Sequence, residues 1–241
     1  MIRFRSIDIS NCGPFGAEQT VCFPDGLTLL LGPNATGKTT IVDALYRDFN
    51  RLKHARSIEY DVEIPRWLVF FDDNIPRLEA GLPWKPLAFL MSANAKLFIR
   101  NEKFGSMVLD YIRMLFGEYI GSRFIEAKVS VGCDGAIRIS DSNGDNLSHY
   151  FQTLGASRLL FLAINAATRK LLHLDLPFVD DSQLAILDQP KLHHAYVLIG
   201  MMSQQIIILE SCAVMESIGE EPHLKIVYDA DAAKSTIARM R

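Results

Sequence analysis

Two groups of side chains in this sequence have the types and spacing for joint chemistry. The first runs Gly32, Pro33, Asn34, Ala35, Thr36, Gly37, Lys38, Thr39, Thr40, a loop of small residues that ends in Lys-Thr. It follows the apolar run Leu27 to Leu31 and precedes a helical pattern with Ile41, Leu45 and Phe49 on one face. Gly32, Gly37, Lys38 and Thr39 stand at the G-x-x-x-x-G-K-[ST] spacing, in the strand-to-helix setting that this motif requires. The chemistry is phosphate binding. Backbone N–H groups turn inward, the helix N-terminus adds positive potential, Lys38 supplies a cation, and the Thr39 hydroxyl can ligate Mg²⁺. An ordinary glycine-rich turn seldom carries Lys-Thr at this register, so ATP is the expected ligand.

The second group is Asp180 and Asp181, which end the apolar stretch Leu176 to Val179. Asp180 would accept hydrogen bonds from a Mg²⁺-bound water, and Asp181 would face an attacking water as its base or orienting group. Alone, two aspartates opening a loop read as a solvated pair. Behind a phosphate-binding loop they read as its acidic partner, so Lys38, Asp180 and Asp181 are the catalytic candidates, with Thr39 and Asp180 as candidate Mg²⁺ ligands.

Several elements must position these groups. Strands are expected near 2–9 and 19–23, at 27–31, over "RWLVFFDD" ending at Asp73, in "LDLPFVDD" (174–181), in "QQIIILE" (204–210) and in "HLKIVY" (223–228). Helices are expected from about Lys38 to Phe49, between Asn101 and Ile120, and around Leu159, Leu162, Ala163 and Ala166. The stretch 125–140 alternates about Gly132 and Gly135 as a hairpin does. Strands alternating with helices predict an α/β fold with a largely parallel central sheet flanked by helices, preceded by an antiparallel β lobe.

Composition narrows the class. The chain has 241 residues, 49% of them hydrophobic, and a formal net charge of −3, so no general basic surface marks it as a nucleic-acid binder. Cys12, Cys22, Cys133 and Cys212 are scattered and form no CxxC pair, which reads as reduced thiols in the cytoplasm. No apolar run reaches the ~20 residues of a membrane span. Arg47, Arg51, Lys53 and Arg56 could meet DNA phosphates but read better as a solvated helix end, and His193 and His194 lack metal-site companions.

The segment from Ile2 to Leu45 resembles the N-terminus of the SMC, RecF and RecN group of ABC-type ATPases. "QTLGASRLLFLAINAA" (152–167) is similar to that family's signature, with Thr153 in the serine place and Gly155 as the glycine. "LAILD" (184–188) falls where the family has its D-loop, ending in Asp188. The resemblance implies one P-loop NTPase head over 1–241, with β lobe and P-loop in 1–50, a variable middle in 51–146, and signature, acidic strand and D-loop in 147–241. It implies ATP hydrolysis with Mg²⁺ and a homodimer or head-to-head assembly, with ATP capped in trans by Thr153, Gly155 and Ala156. A protein partner or effector is implied too, DNA is left open, and a DNA repair or genome-defence complex is the favoured setting. Only 113 residues separate Thr39 from Thr153, so this is a compact head without a long coiled-coil arm.

Three departures bear on rate. No glutamine lies between Gln19 and Gln152 to serve as a Q-loop, with Asp72, Asp73 or Asn74 as stand-ins; Glu210 and Ser211 stand where a switch histidine is usual; and Asp181 is one methylene shorter than the usual glutamate. Slow or partner-dependent hydrolysis is the expectation. An ATP-sensing subunit with little turnover is the alternative, and a transporter subunit is disfavoured by the missing Q-loop. The loop chemistry predicts that Lys38→Ala abolishes or greatly weakens Mg²⁺-ATP binding while the domain stays folded; calorimetry with unchanged affinity would refute the assignment.

Overall fold

The runs "LTLLL" and "QIIIL" lack polar alternation, as strands covered on both faces do. In the computed structural model they are central. The structure describes residues 2–9, 12–16, 18–33, 35–55, 64–73, 85–87, 98–99, 102–210, 224–229 and 234–239. The strands are β1 (Ser6–Ile9), β2 (Gln19–Cys22), β3 (Gly26–Leu31), β4 (Phe70–Phe71), β5 (Lys128–Val131), β6 (Ile137–Ser140), β7 (Phe178–Asp181), β8 (Gln205–Glu210), β9 (Leu224–Asp229) and β10 (Lys234–Arg239). The helices are α1 (Lys38–Ala55), α2 (Glu102–Gly121), α3 (Leu154–Leu171) and α4 (Gln189–Met202).

Six strands form one sheet in the order β10-β9-β3-β8-β7-β4, parallel from β9 to β4 and antiparallel only between β10 and β9. β1 and β2 pair antiparallel as the N-terminal lobe, and β5 and β6 form the expected hairpin, closed where Gly135 turns at φ 79°. Alternation along β3 and β8 divides the core. Leu30, Ile207 and Leu209 join Ile41, Leu45 and Phe49 of α1 in the main cluster, while Leu29, Leu31 and Ile208 form a second cluster against which Tyr196 of α4 packs.

Buried polar side chains tie the layers together. Gln205, at the start of β8, accepts from Phe4 N–H at 2.9 Å and donates from Nε2 to Phe4 O at 2.7 Å and to Phe23 O and Pro24 O at 3.2 Å, which staples the N-terminal segment to the sheet. On α3, Arg169 is buried and donates to Leu68 O through Nε at 3.0 Å and also through Nη2, to Leu176 O at 2.9 Å and to Pro177 O at 2.8 Å. Asn165 donates to Trp67 O at 2.7 Å.

These bonds explain the main difference from the sequence expectation. "RWLVFFDD" is no long strand: Arg66–Leu68 form a 3₁₀ turn after Pro65, and only Phe70–Phe71 pair with β7. The carbonyls of Trp67 and Leu68, which a strand would offer to a neighbour, are taken by Asn165 and Arg169. Smaller differences are that α1 continues past Phe49 to Ala55, that the strand in "LDLPFVDD" begins only at Phe178, and that β10 is an unforeseen edge. Because Arg169→Leu would strand several buried carbonyls, urea unfolding should show a loss of about 3 kcal/mol or more; a loss under 1 kcal/mol would mean that the guanidinium is replaceable.

Candidate nucleotide site

β3 ends at Leu31, and the loop that follows is shaped by contacts that exclude side chains at its glycines. Gly32 N–H donates to Glu210 O at 3.1 Å, anchoring the loop to the end of β8. A Cβ on Gly32 would lie 2.7 Å from Thr36 Oγ1, and one on Gly37, at φ 103°, would lie 2.6 Å from Phe15 Cε2 and 2.7 Å from Pro14 Cγ. Ala35 is also left-handed at φ 65°, and the buried Thr36 donates to Pro33 O at 2.8 Å. Asn34 lies outside the described residues.

Lys38 opens α1, whose first turn holds no acidic residue to cancel its positive end. The lysine's Nζ folds back over the loop, donating to Gly32 O at 2.6 Å and to Pro33 O at 3.0 Å. That places the ammonium on the loop it is expected to share with phosphates. Thr39 is exposed on the same turn, and Thr40 is half-buried against Gly13, where a Cβ would come within 2.7 Å of its Oγ1.

The acidic pair stands two strands away. β8 lies between β3 and β7, and the register sets Leu29 beside Ile208 and Ile208 beside Asp180, with Asp181 beside Leu209. Asp180 has no exposed surface; its Oδ1 accepts from Gln183 N–H at 3.0 Å, while Oδ2 is buried without a hydrogen-bond partner among the described residues. Burial, then Glu210, raises the Asp180 carboxyl well above the ordinary range. A buried, unmatched carboxylate oxygen suits a cation, and Asp180 and the Thr39 hydroxyl are oxygen donors of the kind Mg²⁺ would take. Asp181 is half-buried and raised to about 6 by burial, then by Asp72 and Asp73, with Lys38 opposing. Lys38 is thus within electrostatic reach of Asp181.

Asp72 and Asp73, two of the three residues named as Q-loop stand-ins, lie beside arginines. Arg66 donates to Asp72 Oδ2 through Nε at 2.8 Å and Nη2 at 2.5 Å, and its guanidinium lies 4.0 Å over the Tyr46 ring of α1. Arg158, buried on α3, donates to Asp72 O at 3.3 Å and comes within 3.8 Å of Asp73. Asp72 is therefore bound into an arginine pair, whereas Asp73 is exposed; Asn74 lies outside the described residues.

Thr153 caps α3, its Oγ1 accepting from Ala156 N–H at 3.3 Å. A Cβ on Gly155 would meet Leu187 Cδ2 at 3.5 Å, so the helix start and the "LAILD" turn lie side by side, with Leu154 and Ile186 both about half exposed. Asp188 caps α4, accepting from Lys191 N–H at 3.1 Å and pairing with Lys191 Nζ. Of the basic run, Arg51 pairs with Asp48 and Arg47 reaches Cys12 Sγ at 3.7 Å; Arg56 and the side chain of Lys53 lie outside the described residues. No cluster of metal-ligating side chains includes His193 or His194 among the described residues. Sequence reasoning missed Arg66 and Arg158, although an arginine four residues into the apolar helix α3 is a visible sign.

Comparison with known proteins bears on the fold. Residues 6–46 match the family described as an AAA domain. Curated protein sequences give no match. Among solved structures the chain is similar to the SMC head domain from Thermotoga maritima, at 15% identity over 100% of both chains with a TM-score of 0.52. It is also similar to an SMC head bound to the C-winged helix domain of ScpA, at 13% identity over 98% of both chains with a TM-score of 0.66. No described helix is long and apolar enough to cross a membrane.

The raised pKa of Asp181 makes a stability prediction. Its folded value, about 6, exceeds the ordinary 3.8, so the favourable contribution is complete below 3.8 and is lost as pH rises through 6. Asp181→Asn, which cannot ionise, should gain about 1–2 kcal/mol over wild type between pH 4 and pH 8, after allowance for solvent screening. Urea unfolding at the two pH values checks this; a constant difference would place the carboxylate in ordinary solvent.

Proposed function

We propose that this chain, which has the fold of an SMC-type P-loop ATPase head, binds Mg²⁺-ATP and hydrolyses it. One observation carries the reading: the Lys-Thr loop after β3 and the aspartate pair ending β7 open on the same end of one parallel sheet, with only β8 between them. In parallel α/β sheets ligands bind beyond the carboxyl ends of the strands.

Each residue then has a defined task. Loop N–H groups and the α1 N-terminus hold the phosphates, while Lys38 exchanges Gly32 O and Pro33 O for β- and γ-phosphate oxygens. Thr39 and Asp180 would hold Mg²⁺, which neutralises charge on the transferred phosphoryl group when bound. Asp181 orients the attacking water and accepts its proton, and a carboxyl held near 6 is ionised yet basic enough at neutral pH. Its short side chain, with Glu210 in place of a histidine, favours slow turnover, and this also supports the second reading of an ATP sensor that controls an effector.

The likeness to SMC heads supports a finer proposal. Two heads close on ATP, each capping the other's nucleotide with Thr153, Gly155 and Ala156, and the closure operates a DNA repair or genome-defence complex. Thr153 caps its helix while Leu154 and Ile186 leave apolar surface beside it, which suits a face that meets a second head. One similar SMC head was solved with a winged-helix partner, and we infer that a protein partner receives the signal here too.

Thr153→Arg separates binding from closure, since it leaves Lys38, Thr39 and Asp180 untouched. The variant should bind ATP nearly as wild type does yet stay monomeric by light scattering, under conditions where Asp181→Asn dimerises with ATP. Loss of ATP binding in the Thr153→Arg monomer would place the signature in cis and sink the sandwich.

A further inference from the structure

Tyr196 lies midway along α4, and its ring packs on Leu29, Leu31 and Ile208. Those three side chains mark one patch of the sheet. Leu29, Ile208 and Asp180 are register partners across β3, β8 and β7, so they form a single cross-strand row on one face. Leu31 and Glu210 form the next row on that face. Packing on this patch sets Tyr196 beside the two rows that carry Asp180 and Glu210. Burial first, then both carboxyl groups, pushes the phenol above its ordinary range, which agrees with that placement.

Two oxygens there lack partners. Tyr196 Oη and Asp180 Oδ2 are both buried, and neither makes a hydrogen bond among the described residues. A buried polar group left unmatched is costly, so each of these oxygens calls for a partner. One is a donor and the other an acceptor, so a direct bond or one bridging water satisfies both.

We propose that Tyr196 is a positioning residue of the metal site: its hydroxyl, directly or through one water, holds Asp180 Oδ2 so that the carboxylate presents a fixed face to the cation. The inference rests on the nucleotide reading above. A carboxylate turns easily about its terminal torsion, and a partner behind a ligand fixes its direction, a role whose loss typically costs about 10–100-fold in metal affinity. Tyr196 is not expected to touch nucleotide. Its effect should therefore appear only where the cation contributes.

The test compares the affinity of a fluorescent ATP analogue in Mg²⁺ and in EDTA for wild type and Tyr196→Phe, a change that keeps the ring on Leu29, Leu31 and Ile208. The ratio of the two affinities reports the cation's contribution. Tyr196→Phe should lower this ratio about tenfold, with EDTA affinity within about twofold of wild type and circular dichroism unchanged. An unchanged ratio overturns the proposal, and so does an equal loss in both conditions, which would mark a packing role. A wild-type chain that binds the analogue in neither condition overturns the nucleotide reading itself, and this inference with it.

Discussion

The desolvation of one carboxylate governs this site. Asp180 sits at the carboxyl end of β7 with no surface in water, next to Glu210 on the neighbouring strand and Asp181 along its own. Three acidic groups in so small a volume repel one another, and no arginine or lysine is bonded to Asp180 among the described residues. Such an arrangement persists only with a proton or a metal ion to neutralise it. The same burial that makes Asp180 costly without a partner would make it a strong ligand for the divalent cation of the proposed function.

A different solution to buried charge holds the far edge of the sheet. Arg158 and Arg169 of α3 are buried, and both donate to main-chain carbonyls, Arg158 to that of Asp72 after β4 and Arg169 to those of Leu68 before β4 and of Leu176 and Pro177 before β7. Guanidinium suits this task because its donors are fixed in a plane and stay charged. The consequence is mechanical. The helix that begins at Thr153 is bonded to the segment that ends at Asp72 and Asp73, and Asp72 is bonded through Arg66 to the side of α1 at Tyr46. α3, β4 and α1 are thus joined by polar contacts.

What could be read from the sequence was what local chemistry encodes. The loop between β3 and α1 was readable because its glycines, lysine and threonine stand within nine consecutive residues, and β3, β7 and β8 because their apolar runs have no other use. β10 was not, since "KSTIAR" carries charge at both ends and little apolar character, as a protected edge strand does. The 3₁₀ turn at Arg66–Leu68 was hidden for another reason: the side chains that claim its carbonyls lie about a hundred positions away, at Asn165 and Arg169. Tyr196 was hidden as well, because its place depends on the register that lines up Leu29, Ile208 and Asp180.

The turn after β7 bears on the role proposed for the short acidic side chain of Asp181. Asp181 is the last residue of β7, where the chain turns sharply: Ser182 is left-handed at φ 57°, and its hydroxyl donates to Leu209 O at 2.7 Å. Gln183 donates to Asp181 O at 2.9 Å and its N–H to Asp180 Oδ1. The backbone beneath the carboxylate is therefore held on both sides. A rigidly placed aspartate has fewer conformers than a glutamate and loses less entropy when it orients a water. It also has one methylene less reach. In the mechanism we propose, that distance must be made up by closure of a second head or by movement of the strand end, and the bonds from Ser182 and Gln183 resist such movement.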